Sequence, residues 1–200
     1  MTSLNSQQLV ALIAATSFAA GLNVYATVIT LGLLGRFGVL PLPASLHLLC
    51  SWPVIGVSAI LFVIEFFADK VPAFDLVWNA LHTFVRVPVA ALLAYGATAQ
   101  LSPTAQVISA VAGGTIALAA HGGKTAARAA VTPSPEPFSN IALSAGEDVL
   151  AVFLTWFAAA HPYITGLIVA ALLLVVVLFV RFIVRAMRRL FRGAERSLAS

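Results

Sequence analysis

Glu65 and Asp69 stand four residues apart, so on a helix they share one face, a single turn apart. They close an apolar run that begins at Pro53, and Lys70 and Asp75 follow in Ile64-Glu-Phe-Phe-Ala-Asp-Lys-Val-Pro-Ala-Phe-Asp75. At about 1.5 Å of rise per residue, Glu65 lies roughly 7 Å deeper along the helix than Lys70. A carboxylate at that depth in an apolar segment is costly unless it is protonated, paired or hydrated. Glu65 is therefore the leading candidate for a proton or cation site, with Asp69 beside it. The plainer alternative is an ion pair between Glu65 and Lys124 or Arg128, with Asp69 and Lys70 ending the helix at the headgroups.

A second polar cluster is His121-Gly-Gly-Lys-Thr-Ala-Ala-Arg128. Consecutive Gly122 and Gly123 allow backbone amides to turn toward an anion, and Lys124 and Arg128, one helical turn apart, are spaced to bracket a phosphate or lipid headgroup. His121 adjoins them. Basic side chains that reach for headgroups explain the same residues without a site. The string lacks the upstream glycine and strand of a nucleotide-binding loop. Glu147 and Asp148 suit an ion-paired gate over this cluster, together with Lys70. They equally suit the acidic first turn of a helix opening at Ser144-Ala-Gly-Glu-Asp148. Asn23, within an apolar segment, must be satisfied by protein or water, which adds it to the candidate transport site. Neither a Ser-His-Asp arrangement nor a His-Glu-x-x-His helix is present, and the single cysteine, Cys50, excludes an intramolecular disulfide. No enzymatic activity, metal or cofactor is expected.

The elements that must position these residues are membrane helices. Hydrophobic residues make up 61% of the chain, charged ones only 9%, and the mean hydropathy is +1.03, more apolar than one soluble core can hide. A bilayer core of about 30 Å takes about 20 helical residues, so the chain has room for about six spans and no separate soluble domain. The spans fall at 8–34, broken at Gly21-Leu-Asn23, then at 53–70, 88–101, 103–120, 149–160 and 163–184. The first is read as a retained span, because no Lys or Arg precedes it. Between the second and third, Phe74, Val77, Trp78, Leu81 and Val85 line one side of a helix and Asp75, Asn79, His82 and Arg86 the other. That pattern predicts an amphipathic helix on the membrane or against the bundle. Thr132-Pro-Ser-Pro-Glu-Pro-Phe-Ser-Asn140 reads as a loop.

Laying residue n on n plus 92 matches Ser17 with Ser109, Gly21 with Gly113 and Arg36 with Arg128, and an offset of 91 matches Phe62 with Phe153 and Phe66 with Phe157. The fold class expected is thus an all-α polytopic transmembrane bundle with two inverted three-helix repeats, 1–100 and 101–186, and a basic tail at 187–200. Secondary transporters favour that architecture, with Gly-interrupted helices lining the site. Arg181, Arg185, Arg188, Arg189, Arg192 and Arg196 crowd the C-terminus. With six spans Lys70, Arg86, Lys124 and Arg128 join them, which places both termini in the cytoplasm. The arginine stripe also predicts contact with anionic headgroups, at about 1 kcal/mol per residue. Membrane lipids are the expected partners and a second copy of the chain a further candidate; nucleic acid is not expected.

The strings Gly21-Leu-Asn-Val-Tyr-Ala-Thr27, Glu65-Phe-Phe-Ala-Asp-Lys-Val-Pro72 and Ala120-His-Gly-Gly-Lys-Thr-Ala-Ala-Arg128 together resemble a family of small polytopic bacterial membrane proteins known as a domain of unknown function. The resemblance spans roughly 10–185 and implies the bacterial inner membrane, with no activity attached. A looser likeness is to cation/proton exchangers that carry Glu-x-Gly-Asp-Lys/Arg-Thr/Ser in each half. Here Glu65 and Asp69 are one residue further apart, Val71 replaces the hydroxyl, and the second half lacks the carboxylates. The function expected is a transporter-like membrane protein, coupled to protons or cations. The alternatives are a protein that binds or flips lipids by their anionic headgroups, and a non-transporting scaffold or assembly factor.

Overall fold

A computed structural model describes residues 5–69, 72–131 and 137–198. Among these are seven α-helices, one 3-10 segment and no strand. The helices are α1 Ser6–Leu22, α2 Val24–Arg36, α3 Trp52–Ala68, α4 Pro72–Ala97, α5 Pro103–Val131, α6 Pro137–Ala160 and α7 Pro162–Leu198, with the 3-10 segment Ala44–Cys50 before α3.

The first helix starts at a reciprocal cap. Asn5 Oδ1 accepts from Gln8 N at 2.8 Å, and Asn5 N donates to Gln8 Oε1 at 3.0 Å. From there α1 is apolar on every side, and a helix of that kind belongs in a core. It is buried along most of its length and packs against α4, α5, α6 and α7. It stops at Asn23, a single extended residue with φ −146° and ψ 106°. The hairpin is visible in the side chains: Leu31 of α2 lines the same cavity as Leu9 and Leu12 of α1. Asn23 is thus the tip of a helical hairpin that turns back inside the bundle.

Neighbouring side chains fix the helix directions. Gly113 meets Ser17, and Gly21 meets Ala117 and Ala120, so α1 and α5 run the same way. Asn5 Nδ2 donates to Tyr163 Oη at 3.0 Å and Ala11 lies against Gly166, so α7 starts beside α1 and follows it. Ala94 against Gly113 and Thr83 bonded to His121 make α4 antiparallel to α5. Four helices are long and apolar enough to cross a bilayer by length and composition, Val77–Ala97, Pro103–Arg128, Ile141–Ala160 and Pro162–Arg189. A fifth joins them if the 3-10 segment and α3, bent by 60°, count as one crossing.

These contacts revise four expectations. The first segment is a hairpin of 17 and 13 residues rather than a span, which removes the sixth crossing. Asn5 and the far end of α7 lie at opposite ends of the bundle, where a shared end was expected. The repeat offsets disagree with each other: α1 and α5 run in the same direction, whereas α3 and α6 run in opposite directions, as an inversion requires. Finally, α6 begins at Pro137, with proline in the first turn where its missing N–H costs nothing. Residues 137–140 are thus helical, and Ser144 to Asp148 sit in the body of α6 rather than at its start; 132–136 lie outside the described residues.

The amphipathic stretch lies against the bundle, one of the two placements expected for it. It is part of one helix, α4, which runs on through Pro88. Its polar side faces inward: Asn79, His82 and Arg86 are buried, while Val77, Leu81 and Phe84 are exposed, Phe84 at 81%. In α3 the pattern repeats, with Ile60, Val63 and Phe67 outside and Ser58 and Glu65 within. Apolar side chains outside and charges inside suit a surface facing lipid.

Gly21 sets the spacing of α1 and α5. A Cβ there would run into the Ala117 carbonyl oxygen, which is backbone and cannot swing aside. Gly21→Ala is expected to destabilise the protein by about 1–3 kcal/mol, as overpacking does. Thermal unfolding of the purified protein in detergent checks it, with Gly122→Ala, where a Cβ meets nothing within 4 Å, as the control.

Candidate functional site

Each helix around the hairpin tip carries polar residues at helical spacing: Glu65 and Asp69 on α3 and its cap, Asn79, His82 and Arg86 on α4, His121, Lys124 and Arg128 on α5, Ser144, Glu147 and Asp148 on α6. Separations of three, four and seven put each set on one face. All four faces turn inward, and every one of these side chains is buried.

At the tip, every polar group of Asn23 is used. Its N–H donates to Ala19 O at 2.8 Å, its carbonyl accepts from Thr27 N at 3.2 Å and Thr27 Oγ1 at 2.8 Å, and its Oδ1 accepts from Ala26 N at 2.9 Å. The amide orientation is thereby fixed, and Nδ2 donates to Asp148 Oδ1 at 2.7 Å. A helix break in an apolar bundle survives only with its backbone satisfied in this way.

The charged groups form two linked parts. In one, Arg86 donates to Glu65, both fully buried. Arg86 Nη1 also reaches Asn79 Oδ1 at 3.3 Å and His121 Nδ1 at 2.8 Å. A guanidinium can only donate, so His121 Nδ1 is an acceptor and its Nε2 carries the hydrogen donated to Thr83 Oγ1 at 2.8 Å. In the other part, Arg128 Nη2 lies 2.7 Å from Asp69 Oδ2 and 2.8 Å from Glu147 Oε2, and Ser144 Oγ donates to the same Asp69 oxygen at 3.1 Å. Lys124 joins the two. Its Nζ lies 3.0 Å from Glu147, 3.4 Å from Asp69 and 3.8 Å from Glu65, and it donates to Leu22 O at 3.2 Å. Further out, Tyr25 Oη bonds His82 Nε2 at 3.0 Å, and His82 Nδ1 donates to Trp78 O at 2.9 Å.

The structure thus brings Glu65, Asp69, Asn23, Lys124, Arg128, His121, Glu147 and Asp148 into one cluster, where the sequence suggested a transport site and a separate anion site. Glu65 is ion-paired with Lys124, one of the two partners expected, at 3.8 Å, and more closely with Arg86, which was not expected. Gly122 and Gly123 are in mid-helix, so their amides serve the α5 ladder and are not turned to an anion. Gly123 instead lets Val176 of α7 approach, since a Cβ there would stand 2.8 Å from Val176 Cγ2. Lys70, expected at the gate, lies outside the described residues. Arg86 and Thr83 were not picked out as site residues by the sequence, and Ser144 only as part of a helix start. No group of three or more metal-ligating side chains occurs among the described residues.

Two cavities flank this arrangement. One of about 420 Å³ lies between α4 and α5, lined by Asn79, Thr83, His121 and Thr125 among others. Another, about 400 Å³ and mainly apolar, lies at the opposite end between the hairpin, the 3-10 segment and the end of α4.

No curated protein and no solved structure matches the chain. One family model does, described as a domain of unknown function (DUF4126), and it covers residues 10–182. With four or five apolar helices closed around a buried charged cluster, the chain is a member of this DUF4126 family.

Proposed function

We propose that the protein is a non-enzymatic, transporter-like membrane protein, coupled to protons or cations, in which the hairpin tip at Asn23 is the moving part of the site. One observation carries this reading: buried charges from four helices are linked in one cluster, and two of its members, Lys124 and Asp148, bond the break between α1 and α2. Ionisable groups inside a membrane are expensive, and a helix break is where transporters place ion and substrate contacts. Five crossings follow from counting the bent pair as one, with the hairpin entering from the Asn5 end. The exposed Arg181, Arg185, Arg188 and Arg189 orient the α7 end to the cytoplasm of a bacterial inner membrane, against anionic headgroups, and the Asn5 end to the other face.

Reconstitution into proteoliposomes tests the reading, with a pH-reporting dye inside and a proton or sodium gradient imposed. Wild type is expected to dissipate one of the gradients faster than empty vesicles. The charge-balanced pair Glu65→Gln, Arg86→Gln is expected to fold and to reduce the rate to that of empty vesicles. Wild type that moves neither ion overturns the reading and leaves a scaffold held together by its charges.

The cavity beside His121 favours one second reading, lipid handling. It carries hydroxyl and amide side chains at membrane depth between α4 and α5, where a headgroup can enter from the side. Phospholipid that co-purifies with wild type and is lost from Thr83→Val, Thr125→Val supports it.

A further inference from the structure

Asp148 differs from the other three acids of the cluster. Glu65 has Arg86, and Asp69 and Glu147 share Lys124 and Arg128. Each of the four acids has one buried oxygen without a hydrogen-bond partner, Oδ2 in the case of Asp148, but the other oxygen of Asp148 is met by the neutral amide of Asn23. It is 7% exposed. Among the described residues the cluster holds four carboxylates and three cations, and Asp148 is the carboxylate that no cation contacts. The ionisable groups turned to this cluster are Glu65 and Asp69 from α3 and its cap, His82 and Arg86 from α4, His121, Lys124 and Arg128 from α5, Glu147 beside Asp148 on α6, and Tyr25 of α2, which bonds His82. From α7, the stretch 162–180 brings no Asp, Glu, His, Lys or Arg.

We propose that Asp148 is the group that takes up and releases a proton, bound on Oδ2, and that its charge sets how firmly the hairpin tip is held. This rests on the reading of the cluster as a coupled site. The ligand is a proton rather than a metal ion because of how Asn23 is turned. Its oxygen is committed to Ala26 N and it offers an N–H to Asp148, so the amide adds no oxygen to the six or more that a calcium or magnesium ion takes. Ionised, Asp148 accepts a charge-assisted bond from Asn23; protonated, it accepts an ordinary one, roughly half as strong. Proton uptake adds one hydrogen to Oδ2, moves no other bond, and loosens α6 from the α1–α2 turn. Release restores the grip.

Infrared titration of the full-length protein in lipid tests this directly. Wild type is expected to show a carboxylic-acid C=O band that disappears on raising the pH, to shift when aspartate is supplied with heavy carbon in its side chain, and to be lost in Asp148→Asn. Because labelling needs no substitution, it reads aspartate against glutamate even where Asp148→Asn does not fold. A band that fails to shift on labelling, or that survives in Asp148→Asn, overturns the proposal, as does the absence of any titrating band. The readout is independent of flux. A protein that transports without the Asp148 band defeats this inference alone, and one that shows the band without transport defeats the proposed function alone.

Discussion

Arg86→Gln is expected to destabilise the protein by about 3–5 kcal/mol, the usual cost of leaving one member of a buried ion pair uncompensated. Both Arg86 and Glu65 are fully buried, so no water is at hand to take over when the guanidinium is lost. The nearest remaining cation to Glu65 is Lys124 Nζ at 3.8 Å, already shared with Asp69 and Glu147. His121 Nδ1 and Asn79 Oδ1 lose their donor as well. Adding Glu65→Gln to Arg86→Gln is expected to recover most of the loss, because two amides of similar shape satisfy each other without charge. Equilibrium unfolding in detergent with both single variants and the double one measures the coupling. Additive losses, without recovery in the double variant, show that Arg86 acts by its bulk rather than by pairing with Glu65.

Sequence legibility followed what hydropathy and spacing encode. Gly21-Leu-Asn23 marked a break inside an apolar segment, and the break is there. Glu65 with Asp69, and Lys124 with Arg128, were expected on shared faces, and those faces meet. Arg86 was hidden because Asn79, His82 and Arg86 make the same periodic stripe whether the polar side meets water or other buried charges. Periodicity tells which residues share a side, not what lies opposite. A different gap lies at Asn23. One extended residue ends a helix legibly, but the angle at which the next helix leaves is set by packing, here of Leu31 back toward Leu9 and Leu12. Missing that reversal turned a hairpin into a sixth span. Pro137 misled for a simpler reason: proline breaks a helix interior and suits a helix start, and a cluster of prolines does not say which.

Lys124→Met is expected to cost about 3–5 kcal/mol, by the same rule for broken buried charge pairs, and Lys124→Arg is expected to recover little of it. Lys124 does two jobs from one atom. It is the cation between Asp69 and Glu147, and it is the donor to Leu22 O at the end of α1. The last carbonyls of a helix carry partial negative charge and lack partners in the helix itself, so a lysine there satisfies an orphan and favours the dipole. Methionine fills the volume and supplies neither. Arginine restores the charge but spreads it over a planar fork, and at 3% exposure there is no free space for the longer head to align with Leu22 O and two carboxylates at once. Charge without geometry should therefore fail, which separates a specific seat at the hairpin tip from simple neutralisation. Hydrogen exchange locates the damage: in Lys124→Met, amides at the end of α1 and the start of α2 are expected to lose protection before those of α7. Equal loss throughout, or full recovery by Lys124→Arg, argues that Lys124 supports the whole bundle and does not hold the tip in particular.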